Sequence, residues 1–154
     1  MMFGKEKALR EEIIRTGRKL YELRLVAARG GNLSARLDDS NILITASGRS
    51  LGNLTNEDII RIDLNREDRE DKDLTTEFPL HSLIYKNFSS KVIIHCHPPL
   101  INAYFAVYST LKSLTFESKL YLGELNAVEQ ETPSITRPEP VIEALRNSNI
   151  AVIR

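Results

Sequence analysis

The chain has 154 residues, of which 42% are hydrophobic and 27% charged, so it can bury a core without disulfides or metal-driven folding. Its 21 basic residues balance 21 acidic ones, which excludes a general electrostatic attraction to nucleic acid or to an anionic membrane surface. The apolar runs are too short to span a bilayer, and the single cysteine, Cys96, cannot form an internal disulfide. We therefore expect a soluble cytoplasmic protein without nucleic-acid or membrane partners.

The amino-terminal part predicts a helix followed by three strands. Apolar residues recur near helical spacing from residue 5 to about residue 28, and Gly30-Gly31 is the expected stop signal. The next two apolar runs predict a hairpin around the turn formers at 38–41. The predicted strands span residues 33–37, 42–45 and 59–64. A glycine-bearing loop is expected at 47–52, and the charge-dense segment 65–73 is expected to be a solvated turn.

The rest of the chain alternates helices and strands. Pro79 can open a helix that runs to about Asn87, and residues 92–94 predict a short buried strand leading into His95-Cys96-His97. The remaining predicted elements are a helix over 98–108, a strand over 120–128, a helix from Pro138 or Pro140 to Arg146 and a strand over 149–153. This order, without internal repeats, predicts a single α/β domain whose mixed sheet is covered by helices.

His95 and His97 carry the strongest chemical signal. Alternation along a strand would place both imidazoles on one face and Cys96 on the other, which makes the cysteine a poor ligand candidate. Zinc needs a third protein ligand, so the pair alone is an incomplete site. The residues themselves leave a metal site and two hydrogen-bonded structural histidines about equally open.

Glu77 lies at the junction of a loop and the helix predicted at Pro79. A carboxylate there could ligate a metal or act as a base, although a glutamate at a helix start more often stabilises the helix dipole. His81 follows one turn later and could be a third ligand, but a buried, hydrogen-bonded structural role is favoured. Thr75 and Thr76 alone are ordinary N-cap residues.

Two turns could bind an anion through their backbone amides, GGNLS at 30–34 and TASG at 45–48. Each alone is explained as well by a helix C-cap or a hairpin loop. Taken in order, however, GGNLS, TASG, TTE and HCHPP resemble the class II aldolase/adducin family. That family's pattern is a GN-S turn, a T/P-S/T-G loop, a hydroxyl pair before Glu and an H-x-H strand. The similarity extends from the first helix to the last residue.

The resemblance implies a fold and a set of roles. The fold would be α/β, with a mixed, largely antiparallel sheet covered by helices on both faces. His95 and His97 would bind a divalent metal ion, with zinc the expected ion, and Glu77 would be the catalytic acid/base, able to contact the metal as well. The positions that correspond to phosphate-binding residues are Asn32, Ser47, Gly48, Thr75 and Thr76. Relatives form homotetramers, which makes a homo-oligomer the expected assembly.

The implied function is a sugar-phosphate aldolase. It would reversibly cleave a ketose 1-phosphate, such as L-fuculose 1-phosphate, to dihydroxyacetone phosphate and an aldehyde. The alternatives are a pentulose-5-phosphate 4-epimerase of the same family and a non-catalytic, adducin-like interaction domain.

The sequence departs from the family at three places. A Thr-Thr pair stands where Ser-Ser or Thr-Ser is usual, and Phe116-Glu117 stands where some fuculose-phosphate aldolases carry a tyrosine proton donor used by a neighbouring subunit. The family's third metal histidine follows the last strand within a His-Gly pair, which would fall just after Arg154. We therefore expect residues 1–154 to form a single aldolase/adducin-like domain that lacks its C-terminal part.

Overall fold

The computed structural model describes residues 2–65, 72–132, 135 and 137–154, so most of the charge-dense segment 65–73 lies outside the described residues. It divides into two compact units, Met1–Pro98 and Pro99–Arg154. Both units combine helices with a small sheet, which confirms the predicted α/β class. That the chain forms one domain stays a prediction. Among the described residues, no helix combines the length and apolar character that crossing a bilayer would need.

The first unit is built on a four-stranded antiparallel sheet. Its strands are β1 (Asn32–Arg36), β2 (Asn41–Thr45), β3 (Ile59–Asp63) and β4 (Val92–His95), in the order β3-β2-β1-β4. Its helices are α1 (Met2–Glu22) and α2 (Phe78–Asn87). The predicted hairpin is confirmed, because β1 pairs with β2 and Asp38 Oδ1 accepts hydrogen bonds from the backbone of Ser40 and Asn41 in the turn.

The two helices cover opposite faces of this sheet. Leu43 of β2 joins Ile13 of α1 in one buried cluster, whereas Ile42 and Ile44 join Phe78 of α2 in a second one. Alternate residues of β2 thus serve different faces, which explains its uninterrupted apolar run. Each such buried aliphatic side chain stabilises the fold by about 1.5–3 kcal/mol.

The first helix is shorter than the sequence predicts, because it ends at Glu22 rather than near residue 28. Arg24 takes the left-handed conformation, with φ of 57°. Its N–H donates to Tyr21 O, and Leu25 N–H donates to Leu20 O, which is the Schellman pattern of a helix C-terminus. Glycine usually fills that left-handed position, so an arginine there gives no stop signal in the sequence.

The strand before the two histidines is predicted to be buried, but in the structure it is partly exposed. β4 lies at the edge of the four-stranded sheet, and Val92 and Ile94 are 53% and 47% exposed. An apolar run of three residues predicts burial from the sequence, but the position of a strand within its sheet depends on partners distant in the chain.

The second unit has a three-stranded sheet of order β5-β6-β7, with β5 antiparallel and β7 parallel to β6. Its elements are α3 (Pro99–Phe105), β5 (Thr110–Lys112), α4 (Phe116–Tyr121), β6 (Glu124–Val128), α5 (Glu139–Leu145) and β7 (Val152–Ile153). The prediction of strand from residue 120 is wrong up to Gly123, because residues 120 and 121 end the short helix α4. This helix begins in a capping box, in which the Thr115 hydroxyl accepts from Ser118 N–H.

Candidate functional site

The end of β4 holds the two histidines side by side. His95 is the last residue of the strand and pairs with Asn32 of β1. His97 follows the strand, and its N–H donates to Leu25 O at 3.0 Å. The two imidazole centroids lie 4.8 Å apart. Cys96 instead packs against the cluster under α1, in agreement with the predicted alternation, and burial raises the pKa of its thiol.

Glu77 is brought to this pair from the start of α2. It is the N-cap residue of α2, and its carbonyl accepts the first helical hydrogen bond, from His81 N–H at 3.1 Å. Its side chain is only 11% exposed, and Glu77 Oε2 lies 3.4 Å from His95 Nδ1. Both atoms are buried, and neither has a hydrogen-bond partner among the described residues. The structure therefore gathers Glu77, His95 and His97 into one polar cluster.

The surroundings of His97 lower its pKa and so favour the neutral imidazole, which can bind a cation. Burial lowers the pKa of His97, and the electrostatic interaction with the nearby His95 lowers it further, while Glu77 acts in the opposite direction. His97 is therefore neutral at neutral pH. A metal ligand needs this form, because a protonated imidazole nitrogen has no lone pair to donate.

A metal ion would fit part of this cluster. The 3.4 Å between Glu77 Oε2 and His95 Nδ1 is close to the edge of a tetrahedron whose ligands lie about 2.0–2.1 Å from zinc. Buried polar atoms without hydrogen-bond partners are costly in a protein. Two such atoms facing each other, Glu77 Oε2 and His95 Nδ1, therefore favour a cation bound between them. Within the described ranges, no group of three or more His, Cys, Asp or Glu side chains is placed so that all could hold one metal ion, so the fit is limited to the Glu77–His95 pair.

The Gly30-Gly31 turn fits closely against the histidine segment. Gly31 has φ of +81°, and a Cβ there would lie 2.7 Å from His95 O. A Cβ on Gly30 would lie 3.5 Å from His97 Cδ2. The sequence predicts a helix stop at this turn, but Gly31 instead allows the backbone to pass close against His95, whereas Gly30 makes an ordinary contact with His97.

The candidate phosphate residues occupy three neighbouring parts of the first unit. Asn32 is almost fully buried, and its Oδ1 has no partner among the described residues. The loop after β2 is joined to the segment before α2, since Ser47 N–H donates to Asp73 O at 2.7 Å. Thr75 Oγ1 accepts from Glu77 N–H at 3.3 Å. Thr76 is exposed beside it, as are Ser47 and Gly48, and Gly48 has a left-handed φ of +68°.

Sequence reasoning missed a buried network next to this cluster. His81 is fully buried, and its Nδ1 lies 2.7 Å from Ser34 Oγ, which in turn lies 2.9 Å from the Tyr85 hydroxyl. The interpretation of His81 as a buried, hydrogen-bonded histidine is confirmed. Burial lowers the pKa of His81 to about 3, and the charge of His95 acts in the same direction. The four-residue spacing of His81 and Tyr85 on α2 was the signal that could have found the network.

Residues 11–154 match the family described as the Class II Aldolase and Adducin N-terminal domain. The chain belongs to this family. The predicted family and fold class are therefore confirmed, and membership supports an enzyme of the lyase type. All four segments of the family motif contribute to the part of the first unit described above, which explains why they occur together. These segments are GGNLS, TASG, TTE and HCHPP.

Similar proteins include enzymes with two different reactions. The chain is 36% identical to an L-fuculose phosphate aldolase of Methanococcus maripaludis over 90% of this chain and 77% of that protein. It is 37% identical to a methylthioribulose-1-phosphate dehydratase of Microcystis aeruginosa over 57% of this chain and 45% of that protein. A crystal structure of L-fuculose-1-phosphate aldolase from Thermus thermophilus superimposes with a TM-score of 0.81 and 27% identity, covering 98% of this chain and 75% of that one.

Proposed function

We propose that this protein is a metal-dependent sugar-phosphate aldolase. It reversibly cleaves a ketose 1-phosphate, of the L-fuculose 1-phosphate type, to dihydroxyacetone phosphate and an aldehyde. The observation that carries the proposal is the convergence of Glu77, His95 and His97, with a 3.4 Å contact between unpartnered carboxylate and imidazole atoms. The similarity to fuculose-phosphate aldolases over most of the chain supports the substrate class.

In this proposal, His95 and His97 would hold a divalent cation, which we expect to be zinc. Glu77 would be a further ligand in the absence of substrate. Such an ion would supply a Lewis acid that stabilises the negative charge left on the ketose when its carbon–carbon bond breaks. Imidazole nitrogen and carboxylate oxygen are the donor types that zinc accepts at about 2.0–2.2 Å. The lowered pKa of His97 supports its role, because the ligand must be neutral.

Glu77 is the proposed acid/base. The carboxylate is largely shielded from water and lies at the first turn of α2, beside His95. From there it would take a proton from the reacting carbon of the ketose fragment or return one to it. Proton transfer by a positioned side chain typically contributes a factor of about a hundred to ten thousand in rate.

The substrate phosphate would be held at the loops that lie around Glu77. The proposed contacts come from Asn32, Ser47, Gly48, Thr75 and Thr76. Ser47 N–H already donates to Asp73 O, so Ser47 would contribute its hydroxyl rather than its backbone amide. The left-handed Gly48 adjoins Ser47 in a turn of the type that forms anion-binding concavities. Binding the remote phosphate would orient the reacting bond towards Glu77.

An assay of ketose 1-phosphate cleavage tests the proposal. The protein is stripped with a chelator, reloaded with Zn²⁺, and assayed for dihydroxyacetone phosphate through a coupled reductase. We expect turnover that depends on metal and falls about 100- to 10,000-fold in Glu77→Gln. Glu12→Gln, on the exposed side of α1, is the matched control and should keep full activity. Absence of turnover with every ketose phosphate tried, with and without metal, would refute the proposal.

The dehydratase relative favours a second candidate. That protein is named for a ketose 1-phosphate substrate, and its similarity covers 57% of this chain. A dehydratase would release water and leave the carbon chain intact, so product analysis by mass spectrometry separates the two reactions. An epimer has the same mass as its substrate, so chromatographic separation or NMR of the product would be needed to reveal it if the protein were an epimerase. Binding of a protein partner without any turnover would indicate an adducin-like domain.

We also propose that the protein works in the cytoplasm as a homotetramer. Large apolar side chains of the second unit are highly exposed, among them Leu100 at 85%, Leu114 at 87% and Phe116 at 77%. Exposed apolar side chains of this size are typical of surfaces that are covered by a partner subunit. Light scattering after size-exclusion chromatography measures the assembly directly. A monomer at micromolar concentration would contradict this proposal without affecting the assignment of Glu77.

A further inference from the structure

The loop after β2 carries Ser47 and Gly48, two of the proposed phosphate contacts. Its tip is exposed from Ser47 to Arg49, whereas Ala46 and Leu51 on either side of the tip are buried. A Cβ on Gly48 would meet nothing within 4 Å, so packing does not hold the tip in place. The conformation of the tip therefore depends on its polar contacts.

Two of these polar contacts come from a single residue, Asp58. Its backbone carbonyl accepts a hydrogen bond from Ala46 N–H at 2.8 Å, where the loop begins. Its carboxylate Oδ1 lies 3.1 Å from Arg49 Nε, at the end of the exposed tip. Asp58 thus contacts the loop on both sides of Ser47-Gly48.

Asp58 is itself fixed by contacts other than the one with Arg49. It ends a short 3-10 turn, Asn56–Asp58, and directly precedes β3, which pairs with β2. Its other carboxylate oxygen, Oδ2, accepts from Thr55 N–H at 2.9 Å and from the Thr55 hydroxyl at 2.8 Å. The Thr55 N–H holds the pKa of Asp58 below its usual value, against the opposing effect of burial. The carboxyl group is therefore ionised at neutral pH, with one oxygen bound to Thr55 and the other facing Arg49.

The ion pair with Arg49 restricts the backbone at Gly48. Exposed ion pairs contribute little to stability, but here the Asp58 side chain is only 15% exposed, and a contact between two charged groups is stronger than one between neutral groups. Gly48 adjoins Arg49 and has a left-handed φ of +68°. A glycine has the widest choice of backbone conformations, so a fixed neighbour on its C-terminal side limits that choice.

We propose that Asp58 is a positioning residue for the Ser47-Gly48 phosphate contact, acting through Arg49. The ion pair holds the loop in its binding conformation before the substrate arrives, so less conformational entropy is lost when the phosphate binds. The importance of this order for substrate binding rests on the proposed function. The order itself does not, and it can be measured without metal or substrate.

The mobility of the ligand-free loop provides the first test. 15N relaxation NMR gives an order parameter for the Gly48 amide, which we expect near the value of about 0.85 for rigid backbone. In Asp58→Ala and in Arg49→Gln it should fall towards about 0.6, the upper limit for flexible backbone. Thr55→Val removes the hydroxyl donor to Asp58 Oδ2 and leaves the ion pair, so it should keep the wild-type value. A flexible Gly48 in the wild-type protein, or an unchanged value in Arg49→Gln, would overturn the proposal.

The affinity for inorganic phosphate, followed by the amide shifts of the loop, provides the second test. We expect Asp58→Ala and Arg49→Gln each to weaken binding by roughly 2- to 10-fold, within the range for residues that share one network. The double variant should bind no more weakly than the weaker single variant, because both changes remove the same contact. Arg49→Lys, which keeps the charge, should recover part of the affinity. Losses that add in the double variant would contradict an action through Arg49.

Arg15→Gln is the matched control for the loss of a positive charge, because Arg15 also forms an exposed ion pair, with Glu12 on α1. It should bind phosphate as the wild-type protein does, and an equal loss there would reduce the effect to net charge and refute the proposal. In the cleavage assay, Arg49→Gln should raise the KM for the ketose phosphate and change kcat little. A fall in kcat at constant KM would contradict the assigned role.

Two further outcomes are separable. If Asp58→Ala does not fold, as judged by circular dichroism, Arg49→Gln decides through the same two measurements, since its side chain is 55% exposed. If the wild-type protein binds neither phosphate nor a ketose 1-phosphate, the proposed function fails, while the order parameter of Gly48 still tests whether Asp58 positions the loop.

Discussion

Substitution of Gly31 by alanine tests whether the Gly-Gly turn positions the histidine segment. Gly31 has φ of +81°, and the new Cβ would lie 2.7 Å from His95 O and 2.8 Å from Val26 Cγ1. The left-handed backbone costs about 1–2 kcal/mol for a residue with a Cβ. Overpacking against a backbone oxygen and a buried side chain adds about 1–3 kcal/mol. We therefore expect Gly31→Ala to lower the free energy of unfolding by about 2–5 kcal/mol.

Gly48→Ala is the matched control, because Gly48 has φ of +68° but its Cβ would meet nothing within 4 Å. It should cost only the backbone term of about 1–2 kcal/mol. Any gain from a less flexible unfolded chain is common to both variants and cancels in their difference. Gly4→Ala, in α1 with open space around it, should be neutral or stabilising.

Urea denaturation followed by circular dichroism measures the three free energies of unfolding. A second measurement is the affinity for Zn²⁺, which should fall in Gly31→Ala because the His95 carbonyl has to move. If Gly31→Ala costs no more than Gly48→Ala, the turn does not support His95 in the way described.

Three further predictions concern catalysis, packing and pH. Glu77→Gln should lower turnover of the ketose phosphate by about 100- to 10,000-fold and change its KM little, as measured by steady-state kinetics; an unchanged kcat would exclude Glu77 as the acid/base. Arg36→Lys should lower the free energy of unfolding by about 1–3 kcal/mol, because the guanidinium donates to three backbone carbonyls and lies 4.7 Å from the Tyr85 ring; wild-type stability in urea would contradict this. The pKa of His81 is about 3 when folded against 6.5 for a free imidazole, so between these values the unfolded chain binds the extra proton. Stability should therefore fall as the pH drops from 6.5, by at most about 1.4 kcal/mol per pH unit, and a His81→Gln variant with the same pH dependence in urea would refute the assignment.

The parts of the fold that were predictable are those with local signals. The hairpin turn at Asp38 and the proline at the start of α2 act within a few residues, so the chain alone indicates them. The end of α1 has no such signal. Arg24 adopts the left-handed conformation there, which only a glycine at this position would have indicated in the sequence. The exposure of Val92 could not be predicted either, since it depends on which strand lies at the edge of the sheet.

The candidate site shows the same division. His95, His97 and Glu77 stand out by residue type and motif, and the motif order indicates the family. Their contacts have no local signal, and the partner of His81 is Ser34, which lies 47 residues away. A serine in a strand gives no indication that its hydroxyl will meet a histidine from a helix so distant in the chain.

What joins the distant residues is the register between β1 and β4. Asn32 pairs with His95, Ser34 with Ile93, and Ser34 thereby faces the helix that carries both His81 and Glu77. Because side chains alternate along a strand, a slip of one residue would exchange the faces of His95 and Cys96 and separate the imidazole from the carboxylate. The close approach of Gly31 to His95 O lies directly beside this pairing, so it disfavours such a slip. Gly31 and His95 therefore belong to one structural requirement, which neither the Gly-Gly motif nor the His-x-His motif indicates alone.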